Sequence, residues 1–427
     1  MNTVHDFNPF SKETIGCPFA FYKAMREQAP VFEASKGVFF ITTYDLVSQV
    51  LRDTVNFSSQ KGAAFLNFQG EAGLSAPSAP PPAVLALYKD DVPHRDTLLS
   101  ADPPEHTRYR SLVNRSLSPG RLARYEPVVR TVATQLIDAF IDRGSAEFVS
   151  EFSMLLPLHV VSIALGVPQE DLPKYKDWSV RSVTLLARKA TPEELVDGIK
   201  AGVALRRYIA DRVEEARKKP EDNVIGDLVN AHMLEGVDGD VKQYRPLDTP
   251  EIVSIVEQLL VAGQETVNYL VSSLLLKLLE APDQMAAVRG DTDKIKQLIE
   301  EGVRIESPIQ NLGRFAKNDV TIGGVGIPAG SRIVVMYGCA NRDENKFPDA
   351  DKLDISRENL REHVGFGVGP HYCVGAALAR LEGRVAFEEI FRRLKNIRLT
   401  PDRNDYEYMY SFIFRSLNAL HIEFDAN

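Results

Sequence analysis

Apolar residues recur every third or fourth position in the stretches Glu126–Asp142, Lys200–Lys218, Pro250–Glu280 and Asp293–Glu306. That spacing puts them on one face of a coil with 3.6 residues per turn, so each stretch predicts a helix. The run VGAALARLEGRVAFEEIFRRL, directly after Cys373, reads the same way. Strand signals are fewer. Val38–Thr42 (VFFIT), Val320–Ile322 and Arg332–Met336 are short apolar runs punctuated by Gly and Pro, the last two joined across GGVGIPAGS, and Ser411–Phe424 also looks strand-like.

The least regular part of the chain is Lys61–Leu98, which contains SAPSAPPPAVLALY and is excluded by its prolines from being one helix. A loop of that length inside a compact protein is more often functional than accidental. No internal repeat and no shift in composition marks a second unit. The pattern predicts one integrated domain over residues 1–427, mainly α with a smaller β region.

Composition adds limits. With 44% hydrophobic and 26% charged residues the chain has the make-up of a globular protein with a large core. A net charge of -9 argues against a general nucleic-acid binder, which needs a basic surface to meet phosphates. Cys17, Cys339 and Cys373 lie far apart and form no C-x-x-C pair, so neither a disulfide framework nor a zinc knuckle is indicated, and a reducing cytoplasm fits. Met1–Pro30 has neither a signal-type apolar core nor a spanning segment, so no membrane anchor is expected.

A buried, inert thiol is the default for any single cysteine, and it suits Cys17 and Cys339. Cys373 differs because a helix follows it at once, where the dipole and free N–H groups favour a thiolate. Gly365, Gly367, Gly369 and Gly375 let the backbone turn sharply and approach something flat or bulky, and Pro370 stiffens the turn. Phe366-x-x-Gly369-x-His371-x-Cys373-x-Gly375 resembles the haem-binding loop of the cytochrome P450 superfamily. The resemblance implies that Cys373 is the thiolate ligand of a haem b iron, with Phe366 packed near the sulfur and N–H groups after the cysteine tuning it. It also implies the P450 fold, a triangular-prism, α-rich core around a buried haem.

Further stretches fall in the family's order. Thr249–Glu280 opens with Thr249 as N-cap and a proline, and on the order of 48 Å of helix would cross a whole domain. Its polar residues Glu257, Gln258, Gln264, Glu265 and Asn268 argue against a membrane span. Taken alone, Thr266 would bond back to the carbonyl of Ala262. Ala262-Gly263-Gln264-Glu265-Thr266 is similar to the family's oxygen-activation motif, in which Gly263 leaves room beside the helix, the Thr266 hydroxyl bonds dioxygen or water and Glu265 relays protons. The family more often has His or Gly where Gln264 stands. Glu301-x-x-Arg304 is in itself an ordinary i,i+3 pair. In this setting it resembles the family's E-x-x-R motif with Arg357 as third member, a structural network; Gly302 inside it has no explanation from the sequence. In ADPPEHTRYRSLVNR, His106 and Arg110 match positions that contact haem propionates, with Arg314 and His371 completing the set. Gly324–Ala329 fits G-x-G-x-x-A, but a strand pattern follows it, which argues against a dinucleotide site.

The resemblance implies a monomeric haem-thiolate monooxygenase that inserts one atom of dioxygen into a small hydrophobic substrate. Electrons would come from a separate ferredoxin and its NAD(P)H-dependent reductase, docked on a basic surface of Arg108, Arg110, Arg115, Arg380 and Arg384. A peroxide-driven peroxygenase and a non-catalytic, gas-binding haem protein are the alternatives; the Glu265–Thr266 pair favours the monooxygenase. The expected pocket comprises Phe65, Leu66, Phe68, Leu85 and Leu87 in the irregular loop, with Leu259, Ala262 and Gly263 on the long helix. Ile309, Asn311, Leu312, Phe412 and Ile413 complete it.

Overall fold

The predicted long helix runs from Thr249 to Glu280 and organises the molecule. Its N-cap is Asp248, one residue earlier than expected: the Asp248 carboxylate accepts from the Glu251 N–H while Glu251 reaches back, a reciprocal capping box that Thr249 cannot complete. Among the described residues this is the helix that is long and apolar enough to cross a membrane, yet 72% of its most apolar window is buried inside the protein. The computed structural model describes residues 7–9, 11–60, 86–89, 91–187, 191–238 and 241–426.

Helices pack on every side of this rod. Val267, Leu270, Val271 and Leu274 on its C-terminal half join Leu298 and Ile299 of the Thr292–Glu306 helix and Phe387 and Ile390 of the Ala376–Arg393 helix in one core. Ile252, Val256 and Leu260 on the other half meet Leu205 and Ile209 of the Pro192–Lys218 helix. Close approach explains Gly302. A Cβ there would lie 2.6 Å from Leu274 Cδ2 and 3.2 Å from Leu270 Cδ1, and on the neighbouring helix a Cβ at Gly383 would lie 2.9 Å from Ile299 Cδ1. Small residues at both contacts let three helices stack tightly, which fixes the cysteine-bearing end of the third against the first.

The β part is a five-stranded mixed sheet in the order Val31–Ser35, Val38–Ile41, Arg332–Val335, Leu312–Ala316 and Phe57–Ser58. Val320–Ile322 pairs not with the Arg332 strand but with Val325–Ile327, inside the stretch read as a connection. Ser411–Phe424 is strand only at its end, His421–Ala426. Its first part turns because the Ser411 hydroxyl accepts from the N–H groups of Ile413 and Phe414, competing with a ladder. The helix predicted from Glu126 begins at Pro119, where Ser118 and a proline in the first turn start it, and ends at Asp138.

Candidate active site

The Cys373 loop is built by short-range geometry. Gly367 and Gly369 have φ of +68° and +77°, and a Cβ at Gly369 would stand 2.9 Å from the Leu51 carbonyl oxygen, so only glycine fits. The Cys373 N–H donates to the Phe366 carbonyl at 2.8 Å, closing the loop just before the helix that starts at Ala376. The backbone N–H groups of Gly375 and Ala376 bond to the sulfur. Burial raises the Cys373 pKa; those N–H groups, with Arg110 and Arg380, oppose the rise by favouring the thiolate. Cys373 is half-buried, and Val374 packs against the same cluster as Leu259 of the long helix.

Beside the loop the structure brings together the four polar residues singled out from the sequence. The rings of His106 and His371 lie 4.0 Å apart between centroids. Burial first, then the Arg110 and Arg314 guanidinium groups, lowers the His106 pKa to about 4; burial, Arg314, His106 and Arg110 lower that of His371 to about 3. Both imidazoles are therefore neutral near pH 7, and the positive charge rests on the arginines. His371 is oriented by the Ser59 hydroxyl at 3.2 Å and by the Leu98 carbonyl. His106 is 2% exposed, and among the described residues both its ring nitrogens lack a hydrogen-bond partner, a cost normally met only where a further polar group is held.

Acid and alcohol on the long helix have different surroundings. The Thr266 hydroxyl donates to the Ala262 carbonyl at 2.8 Å, the local bond expected of any helical threonine. Ala262 is nevertheless exposed and Thr266 half-buried between the buried Leu260 and Val267, so this strip does not face core. Gly263 abuts Val161, whose Cγ2 a Cβ would meet at 3.2 Å. Glu265 is 6% exposed and has its pKa raised by burial. Gln264, fully buried, donates to Glu265 at 3.3 Å and accepts from Ser179 at 2.8 Å. A cavity of about 920 Å³ is lined by Glu265, Asn268, Tyr269 and residues 405–410.

The E-x-x-R residues form a sealed cluster. Arg304 donates to both oxygens of Glu301 at 2.7 Å and to the carbonyls of Asn341 and Ala350; Arg357 adds a 3.0 Å bond to Glu301. One cluster was not legible in the sequence: Arg380 donates twice to Glu300, which also meets His363 at 3.1 Å, and Arg380 lies 4.5 Å over the Phe366 ring. Nothing in the spacing marks Glu300, since the adjacent Glu301 carries the motif. Tyr269, four residues after Glu265 on one helix face, is a partner that spacing does mark.

Pocket candidates divide. Phe65, Leu66, Phe68 and Leu85 lie outside the described residues. Leu87 packs against Ile199 and Val203. Asn311 is buried and donates to the Phe412 carbonyl at 2.7 Å, Phe412 stacks on Phe40, and Ile413 packs with Tyr269 and Phe414, so these three serve as core. Leu259, Ile309 and Leu312 are partly buried at cluster edges. The basic surface is thinner than the sequence indicates: Arg380 and Arg384 are tied to Glu300, Glu126 and Glu388, and Arg108 to Glu105.

The profile of the cytochrome P450 family matches residues 70–419. Cytochrome P450 107B1 of Saccharopolyspora erythraea is 36% identical over 76% of both chains, and 6-deoxyerythronolide B hydroxylase of the same organism is 31% identical over 95% of both. The structure of cytochrome P450 CYP109Q5 from Chondromyces apiculatus superposes over 100% of both chains, with a TM-score of 0.83 and 29% identity. The chain belongs to the cytochrome P450 family and is a monooxygenase of the bacterial type. The family implies a haem, and the site fits one: a cysteine at a helix start, two arginines and an unpartnered buried histidine form the donor set that an iron porphyrin with two carboxylates requires.

Proposed function

We propose that Cys373 holds haem b through its sulfur and that the enzyme hydroxylates a small hydrophobic organic substrate with dioxygen. When bound, haem supplies the activation of dioxygen. The chain lacks a C-x-x-C-H motif, which favours haem b over a covalently attached haem. Gly375 and Ala376 N–H groups steady the thiolate; Arg110 and Arg314 offset the haem carboxylates, His106 donates a hydrogen bond to one of them, and His371, whose ring is engaged by the Leu98 carbonyl and the Ser59 hydroxyl, packs against His106. Leu259, Ala262, Gly263, Ile309 and Leu312 offer an apolar lining that favours an uncharged substrate. Thr266 holds a proton donor on the open strip of the helix, and Glu265 supplies protons from its buried carboxyl. One relative is a hydroxylase by name, which supports the reaction type. Electrons come from a separate ferredoxin and its NAD(P)H-dependent reductase, and Arg115 on the Glu105–Ser116 helix remains as a docking contact.

The observation that carries this reading is the convergence of the Cys373 sulfur, held by two N–H groups, with the His106–Arg110–Arg314–His371 cluster. The test is optical. Reduced holoprotein under carbon monoxide gives the red-shifted Soret band of a thiolate-ligated iron, and Cys373→His loses that band while retaining haem. Its absence from the freshly folded natural chain overturns the proposal.

A further inference from the structure

The acid of the A-G-Q-E-T stretch has a neighbour that gives it a second state. Tyr269 stands one helical turn beyond Glu265 on the same face, where its hydroxyl can turn toward the carboxyl. The same hydroxyl reaches the thioether of Met409 at 3.8 Å. Tyr269 is 1% exposed. Met409 is anchored by its own N–H, which donates to the Ser416 carbonyl at 2.8 Å.

The geometry points to Tyr269 as a positioning residue whose single O–H alternates between Glu265 and Met409 as the acid loses and gains its proton. A phenol has one hydrogen to donate, a carboxylate only accepts, a carboxylic acid can donate, and a thioether is a weak acceptor. When Glu265 is ionised, the Tyr269 O–H donates to it. When Glu265 is protonated, its O–H donates to the Tyr269 oxygen and the phenol donates onward to Met409 Sδ. The protonated state carries one more proton, taken up from solvent through the cavity that Glu265 lines, and otherwise only the direction of the Tyr269 hydroxyl differs. The carboxyl is thereby held toward the cavity that Tyr269 and residues 405–410 line. Burial raises the pKa of Glu265, which keeps the protonated state within reach. The other charged groups facing the cavity are Lys12, Asp405 and Glu407, with the phenols of Tyr406, Tyr408 and Tyr410 and, on the acid's own helix, the neutral Gln264 and Asn268.

This inference rests on the proposed function only for what the proton is used for. The alternation itself is read without turnover, by infrared difference titration of the holoprotein across pH, with Glu265→Gln identifying the carboxyl band. Tyr269→Phe keeps the packing and removes the donor to the ionised form, so the midpoint moves up by about one pH unit. Met409→Leu removes the acceptor used only by the protonated form, so the midpoint moves down by a smaller step. Opposite shifts are the expected result, because a merely structural disturbance moves both midpoints the same way or neither. An unchanged midpoint in Tyr269→Phe, or shifts of one sign, overturns the inference. A missing thiolate band with opposite midpoint shifts overturns the proposed function alone.

Discussion

Glu301 and Glu265 are both sealed from solvent on neighbouring helices, and the structure treats them in opposite ways. Glu301 is fully buried and meets Arg304 twice, Arg357 once and the Asp354 N–H at 3.0 Å. Glu265, 6% exposed, meets an amide, a phenol and, among the described residues, no cation. Removing a carboxylate from water costs several kcal/mol unless cations and hydrogen bonds replace the solvent. Glu301 has that replacement and belongs to the architecture. Glu265 lacks it, and burial instead makes its protonated form accessible, which is what a proton-delivering group needs.

The strongest way to break this contrast is to move Glu301 toward the condition of Glu265 by removing the cation that meets it twice. Arg304→Ala leaves the sealed carboxylate with Arg357 as its one remaining arginine and the Asn341 and Ala350 carbonyls without their donor, so the loss is about 3–5 kcal/mol, read by urea unfolding of the holoprotein. Glu300 gives the next largest effect. Arg380 and His363 hold its pKa at about 2, against the desolvation that alone would raise it. A carboxyl with a lowered native pKa contributes stability above its unfolded value near 4.5, lost as pH falls toward about 2. Glu300→Gln therefore costs about 2–3 kcal/mol at pH 7 and little at pH 2, checked by unfolding midpoints across that window.

How much of this was legible in the sequence follows the range of the interactions. The long helix, the cysteine loop, the E-x-x-R pair and the His106–Arg110 helix rest on residues within a turn or two of one another, and their patterns carried them. Gly302 could not be explained because its reason is Leu274 on another helix. Arg380 read as a surface charge because its partner Glu300 lies eighty residues away in the chain. Asn311 and Phe412 read as pocket because apolar or amide character does not reveal which side of a strand or turn meets core. Gly302→Ala tests the packing that the sequence concealed: a Cβ 2.6 Å from Leu274 costs about 1–3 kcal/mol, seen as a lowered thermal midpoint with the spectrum of the bound haem unchanged in shape.

Glu265→Gln has the smallest effect on stability and the opposite sign, which makes it the sharpest test of the contrast. An acid whose native pKa is raised is most compatible with folding below its unfolded value near 4.5, and the protein loses stability as pH climbs toward the raised value. A neutral amide of the same shape removes that dependence. The substituted protein therefore gains on the natural one as pH rises above the unfolded value near 4.5, in chemical unfolding at each pH. The same substitution removes the proton donor beside Thr266, so less of the electron flow appears as oxidised product and more as peroxide, measured as the ratio of the two per NAD(P)H consumed. Glu301→Gln moves stability the other way at pH 7, because the carboxylate is the group that its surroundings are built to hold. Were the two glutamines to behave alike, burial alone, and not the presence or absence of a cation, would govern both sites.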